Sequence, residues 1–279
     1  MMHKNNGQAP IGIFDSGYGG LTILSEIRRV LPQYDYIYLG DNARAPYGTR
    51  SFEIVYRFTL EAVEYLFSQG CRLVILACNT ASAKALRTIQ QNDLPHIDPS
   101  RRVLGVIRPT VEILDRMTRN GHIGLLGTPG TINSQSYTAE VAKLFPQYHV
   151  HGQACPMWVP LIENNEMDNE GTDFFVKKYI DELLAKCDLI DTVILGCTHY
   201  PLLQGLIRKH LPSHINILSQ GTLVAESLKD YLARHPEIEE RCSRNGQCTY
   251  LTTEAGEKFN ETANLFLQDS IEAHRIELG

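Results

Sequence analysis

The sequence predicts an α/β protein of two pseudo-symmetric units, each built on a parallel sheet, facing one another across a central cleft. Three observations carry this expectation. Short apolar runs alternate with periodic segments of helical length, the pattern of parallel strands covered by helices. Two runs, Leu73-Val74-Ile75-Leu76-Ala77 and Thr192-Val193-Ile194-Leu195-Gly196, read almost alike. Each ends in a cysteine, Cys78 or Cys197, followed by hydrogen-bonding residues, Asn79-Thr80 or Thr198-His199. Finally, the opening stretch around Gly12 returns around Gly124, and these landmarks lie 112 positions apart where the two cysteines lie 119 apart. Similar offsets with different loop lengths are what a duplicated unit leaves behind.

The elements follow in order. Residues 10–15 form a strand ending in Asp15, then the turn Ser16-Gly17-Tyr18-Gly19-Gly20 opens a helix that runs to about Val30 and stops near Pro32. A second strand, Tyr34 to Leu39, leads into Gly40-Asp41 and a loop of turn formers, Asn42 to Gly48. Ser51 caps a helix to about Ser68, ended by Gly70. The first cysteine strand has a helix from about Ala81 to Gln91; Val103 to Ile107 is a fourth strand, with Pro109 at the start of the helix behind it. The second unit opens at His122, with a helix after Thr131 to about Leu144, a strand near 148–153, and a surface helix from Gly171 to Lys186. The second cysteine strand, a helix from Pro201, a strand at Ile215 to Leu218 and a helix over 222–234 come next. Thr249 to Thr252 reads as an edge strand and Glu254 to Gln268 as a closing helix.

Composition narrows the classes. The chain has 279 residues, 43% hydrophobic and 21% charged, with net charge -6 and no basic block, which argues against nucleic acid as the main partner. No apolar run approaches the roughly 18 residues of a membrane span, and MMHKNNGQAP lacks a signal-peptide core. The seven cysteines are scattered without a CxxC pair, a reduced, cytoplasmic pattern without zinc spacing.

Strand ends at the carboxyl edge of open α/β sheets hold ligands. A cysteine there meets backbone N–H groups that lower a thiol's pKa. Two such thiols facing each other suit proton removal from one face of a carbon and return on the other, with one sulfur ionised and its partner protonated. His199 is a candidate to shuttle charge beside Cys197, and Asp15 and Asp41 sit at strand ends of the same edge. Cys71, Cys155, Cys187, Cys242 and Cys248 read as inert packing. A Cys197–His199 acyl-transfer pair is the rival enzyme reading, disfavoured because residues two apart on a strand end rarely share one geometry and Cys78 would be idle. A ligand-binding module without catalysis is the third.

The segments IGIFDSGYGGL (11–21), YLGDNARAPYGTRS (38–51), ACNTAS (77–82), GTPGT (127–131), CPMWVPLIE (155–163) and LGCTHYPLL (195–203) resemble the glutamate racemases of the aspartate/glutamate racemase superfamily. The resemblance spans about residues 10–225. It implies cofactor-independent, two-base racemisation of glutamate, supplying D-glutamate for peptidoglycan, with neither metal nor pyridoxal phosphate. Cys78 and Cys197 match the catalytic thiols, the first acting on D-glutamate and the second on L-glutamate. Asp15, Asp41, Glu163 and His199 match assisting groups. Asp15, Ser16, Pro46, Tyr47, Gly48, Asn79, Thr80, Thr131, Thr198 and His199, with the two cysteines, match the substrate-binding set. The resemblance also implies a first domain of residues 1–105 plus 214–279, a second of 106–213, and a homodimer. Arg108 stands where the family often has glutamate, which bears on the interdomain hinge or dimer contacts.

Overall fold

Ten short strands pair entirely in parallel in the computed structural model, which describes residues 8–267 and 270–279. They are β1 (Ile11–Asp15), β2 (Tyr36–Gly40), β3 (Leu73–Leu76), β4 (Arg102–Gly105), β5 (His122–Gly127), β6 (His149–Ala154), β7 (Thr192–Gly196), β8 (Asn216–Leu218), β9 (Cys248–Thr252) and β10 (Ala273–Arg275). The central strands β1, β2, β3, β5 and β7 are buried along their length or nearly so, which is why they read as unbroken apolar runs rather than as alternation.

The duplication is visible in the strand order. One sheet runs β10-β9-β2-β1-β3-β4 and the other β6-β5-β7-β8. Dropping β9 and β10 leaves the same order twice, with β3 matching β7. The two landmark glycines are equivalent in detail. Gly12 pairs with Val74 and Gly124 with Val193. A Cβ at Gly12 would meet Val74 at 3.1 Å and Leu66 at 3.2 Å; one at Gly124 would meet Val193 at 3.0 Å and Leu183 at 2.9 Å. In both units a helix leucine packs tightly over the glycine, so that a Cβ there would force its neighbours to give way.

Helices follow the caps that the sequence carries. Ser51 accepts from Ile54 N at 3.3 Å and opens Phe52–Ser68. Asn169 accepts from Thr172 N at 2.9 Å and opens Glu170–Leu184. The helix after Thr131 is instead two pieces, Pro129–Asn133 and Ser136–Leu144, divided at Gln135, whose φ is +56°.

One apolar cluster holds residues of both sheets, among them Ile13, Ile75, Leu126 and Val193, and each sheet has a further cluster on its other face. Each fully buried leucine or isoleucine there contributes about 1.5–3 kcal/mol relative to exposure.

The return to the first unit differs from the sequence expectation. Asn216–Leu218 pairs with β7, so this stretch lies in the second sheet although the division at 214 assigned it to the first unit. The chain crosses back through Gly221–Arg234, where Thr222 Oγ1 donates to Glu26 at 2.8 Å on the helix Gly20–Val30. Strand β9 then pairs with β2, but it is not an edge: β10, which the sequence analysis did not foresee, lies outside it. Three residues carry too little pattern to announce a strand. The N-terminal stretch judged for a signal peptide, up to Gly7, and Gln268 at the end of the closing helix lie outside the described residues. No helix among the described residues is long and apolar enough to cross a membrane.

Candidate active site

The carboxyl ends of both sheets open onto one cavity of about 650 Å3, counting space continuous with solvent. Ser16, Pro46, Tyr47, Gly48, Cys78, Asn79 and Thr80 line it from the first unit, and Glu163, Cys197, Thr198 and His199 from the second. The two cysteines therefore meet the same space from equivalent strands.

Cys78 follows β3 and caps Asn79–Lys84, its Sγ accepting from Ala81 N at 3.4 Å and lying 3.3 Å from Ser16 Oγ. The expected lowering of its pKa does not follow. Burial pushes the Cys78 thiol up to about 12, and the neighbouring Asp15 carboxylate adds to this, while Ser16 and the Ala81 N–H oppose it only in part. Loss of hydration outweighs one backbone donor on a short helix.

Cys197 and His199 do approach, contrary to the sequence argument. Strand geometry ends at Gly196; His199 is already helical, with φ −78° and ψ −32°, at the head of the turn Tyr200–Leu203. Its Nδ1 comes to 3.8 Å from Cys197 Sγ and its Nε2 to 2.9 Å from Glu163 Oε1. Burial alone would lower the pKa of this imidazole, but hydrogen bonds and charge at Cys197 and Glu163 raise it to about 10. Both partners favour the protonated ring, which is set between a sulfur and a carboxylate.

Asp15, Asp41 and Thr131 stand behind the wall rather than on it. Burial raises the Asp15 pKa; its Oδ2 accepts from Gly17 N at 2.9 Å and its Oδ1 faces Thr198 Oγ1 at 3.5 Å. Asp41 is fully buried and occupied by Arg44 at 2.7 Å, Thr253 at 2.9 Å and the Tyr47 hydroxyl. These bonds hold the loop that carries Pro46-Tyr47-Gly48 to the cavity. Thr131 lies 3.1 Å from Thr128 and 3.4 Å from Thr80, hydroxyl to hydroxyl.

Several wall residues were not singled out: Ala45, Thr49, Thr128, Pro129, Pro156, Val159 and Pro160, together with Cys155, which had been assigned to packing. All of them lie inside the quoted segments 38–51, 127–131 and 155–163, which were the available signal. Cys155 is buried as expected, and burial raises its thiol well above the ordinary value. Lys84, the lysine nearest Cys78 in sequence, donates to the Arg50 carbonyl at 2.6 Å and does not line the cavity.

A buried polar chain joins the units behind the site. Asn79 Nδ2 donates to Gln220 Oε1 at 2.6 Å, Tyr137 OH donates to Asn79 Oδ1 at 2.7 Å, and Gln220 Nε2 donates to Tyr137 at 2.8 Å and Thr110 at 2.7 Å. Gly130 N donates to Gly48 O at 2.7 Å, and Thr80 and Thr128 share a hydrogen bond of 2.9 Å.

The sequence profile of the Asp/Glu/Hydantoin racemase family matches residues 21–228. A glutamate racemase of Persephonella marina is 40% identical over 270 residues, covering 96% of this chain and 97% of that protein. Among solved structures, a glutamate racemase isoform from Bacillus anthracis superposes with a TM-score of 0.88 at 36% identity, covering 97% of this chain and 98% of that one. The glutamate racemase of Francisella tularensis, solved with D-glutamate, gives 0.86 at 31% identity and 98% coverage of both. A profile match across most of the length, with such identity carried from end to end, means that this chain belongs to the Asp/Glu/Hydantoin racemase family.

Proposed function

We propose that this protein interconverts L- and D-glutamate without a cofactor, Cys78 and Cys197 exchanging protons with opposite faces of the α-carbon. The observation that carries the reading is the pair of thiols at equivalent strand ends, one from each unit, on one cavity wall. Full-length relatives at 40% identity that are glutamate racemases support glutamate as the substrate. Its product, D-glutamate, serves peptidoglycan synthesis.

In the forward direction Cys197 Sγ takes the α-proton of L-glutamate, and the electron pair left on carbon spreads into the α-carboxylate. The imidazolium of His199, held by Glu163, faces the sulfur and offsets its charge. Cys78 rests as the thiol, since burial and Asp15 hold its proton, and delivers that proton to the opposite face. In reverse Cys78 takes the proton of D-glutamate, and the substrate ammonium supplies the counter-charge that the buried sulfur lacks. Ser16, Thr80 and Thr198, with the Asn79 amide, are the polar wall groups that receive the carboxylates and ammonium. Asp41 and Thr131 act through the wall they support. The two domains are the two sheets with their helices, the second extending through Leu218, and the protein acts as a homodimer in the cytoplasm. Light scattering of the purified protein tests the dimer.

Cys197, His199 and Glu163 also form the line of nucleophile, base and orienting acid used in thiol acyl transfer. Incubation with L-glutamate in D2O separates the readings. Racemisation loses optical activity and places deuterium at Cα; no exchange with L-glutamate, set against L-aspartate run in parallel, would sink the proposal.

A further inference from the structure

At the other end of the second sheet, three histidines and a cysteine gather on one face. His122 opens β5 and His149 opens β6, directly paired, and His151 lies two residues further along the same side. The rings of His149 and His151 lie 5.1 and 5.5 Å from that of His122, centroid to centroid. Cys187 arrives just beyond the helix Glu170–Leu184. His122 Nδ1 is 3.2 Å from His151 Nε2 and 3.4 Å from Cys187 Sγ, and all three ligand atoms lie within 4.8 Å of one another.

The two separations from His122 Nδ1 are close to edges of a coordination tetrahedron, and the third is within 4.8 Å. Bonds of about 2.0–2.1 Å to nitrogen and about 2.3 Å to sulfur at tetrahedral angles place ligand atoms roughly 3.3 Å (N to N) and 3.6 Å (N to S) apart. Two imidazoles and a thiolate select a borderline-soft ion over magnesium or calcium. We propose that His122 Nδ1, His151 Nε2 and Cys187 Sγ bind one zinc-type divalent cation, with water in the fourth position. Cys187, read from the sequence as packing, becomes a ligand because strand pairing brings it to two histidines far from it in sequence. The site is separate from the cavity: His122 and Gly127 are the two ends of β5, roughly 16 Å apart at a strand rise of ~3.3 Å per residue. A cation there would clamp the end of the helix Glu170–Leu184 to the edge of the sheet.

The test is titration of the reduced, full-length, metal-free protein with Co2+. One equivalent is expected to give a sulfur-to-cobalt charge-transfer band and the intense visible bands of tetrahedral Co2+, both abolished by Zn2+. Cys187→Ser should lose the charge-transfer band and His151→Ala should weaken binding at least tenfold. Both variants should racemise at the parental rate, which reports the fold. Zn2+ should raise the melting temperature of the parent but not of Cys187→Ser. A charge-transfer band of parental strength in Cys187→Ser would mean that other thiols hold the metal and would overturn the proposal. So would parental affinity in His151→Ala, or failure of the parent to bind.

Discussion

Replacing Glu163 by glutamine keeps the shape of the side chain and an acceptor for His199 Nε2 but removes its charge. Opposite unit charges about 4 Å apart in an effective dielectric near 20 attract by about 4 kcal/mol. The Glu163 side chain is 23% exposed, so solvent screening takes about half of that, leaving about 2 kcal/mol. At 1.36 kcal/mol per pKa unit the loss amounts to about 1.5 units. His199, raised to about 10 in the parent, should therefore titrate at a distinctly lower pH in Glu163→Gln. The direct assay is NMR titration of the labelled His199 ring in both proteins, with the pH dependence of racemisation beside it. The variant should lose activity on the alkaline side at a lower pH than the parent. The stability effect has a defined sign: a histidine raised on folding stabilises fully below its unfolded value of about 6.5, and that contribution disappears as pH rises through about 10. Glu163→Gln should narrow that window from its upper end. If His199 titrates at the same pH in both proteins, the carboxylate does not hold the imidazolium and the charge arrangement proposed around Cys197 is wrong.

Other consequences are equally specific. Cys78→Ala and Cys197→Ala should each lower racemisation by roughly 10²–10⁴-fold while circular dichroism reports an intact fold; parental turnover in either would remove that thiol from the mechanism. Gly19→Ala would place a Cβ 2.2 Å from Thr198 Oγ1 and 2.4 Å from His199 Nδ1, so activity should fall sharply, and unchanged kinetics would show that these side chains need not stay where they are. Gln220→Ala leaves the Asn79 amide and Thr110 without their partner and should cost about 1–3 kcal/mol in urea unfolding, with a loss of racemase activity from a freed Asn79. Arg108, the departure from the family, pairs on the surface with Glu112 at 2.8 Å and Glu140 at 3.1 Å. Arg108→Ala should change stability by less than about 1 kcal/mol, and a larger loss would place it in a buried contact such as a subunit interface.

The sheets were legible because buried parallel strands are written locally. Ile11–Asp15, Leu73–Leu76 and Thr192–Gly196 are apolar runs whose length and composition admit little else. Edge elements were less so: Ala273–Arg275 draws its strand character from β9 beside it and not from its own residues. In the site, the cysteines and their polar neighbours stood out because a duplicated motif announces itself twice. Asp41 looked like a wall residue because it ends a strand, and only the bonds from Arg44, Tyr47 and Thr253 reveal it as the anchor of the adjoining loop.

What the sequence determined by itself is the α/β class, the duplication and the two thiols, since each depends on residues adjacent in the chain or repeated along it. What the tertiary structure decided depends on groups meeting from distant positions. Burial beside Asp15 holds Cys78 protonated where its place before a helix implied the reverse, because desolvation sums over everything packed around a sulfur. The helical turn after Gly196 brings His199 back to Cys197 and on to Glu163. And the pairing of β5 with β6 gathers His122, His151 and Cys187 into one cluster that no spacing in the sequence foretells, because register across a sheet is set by the packing of whole strands and not by any one of them.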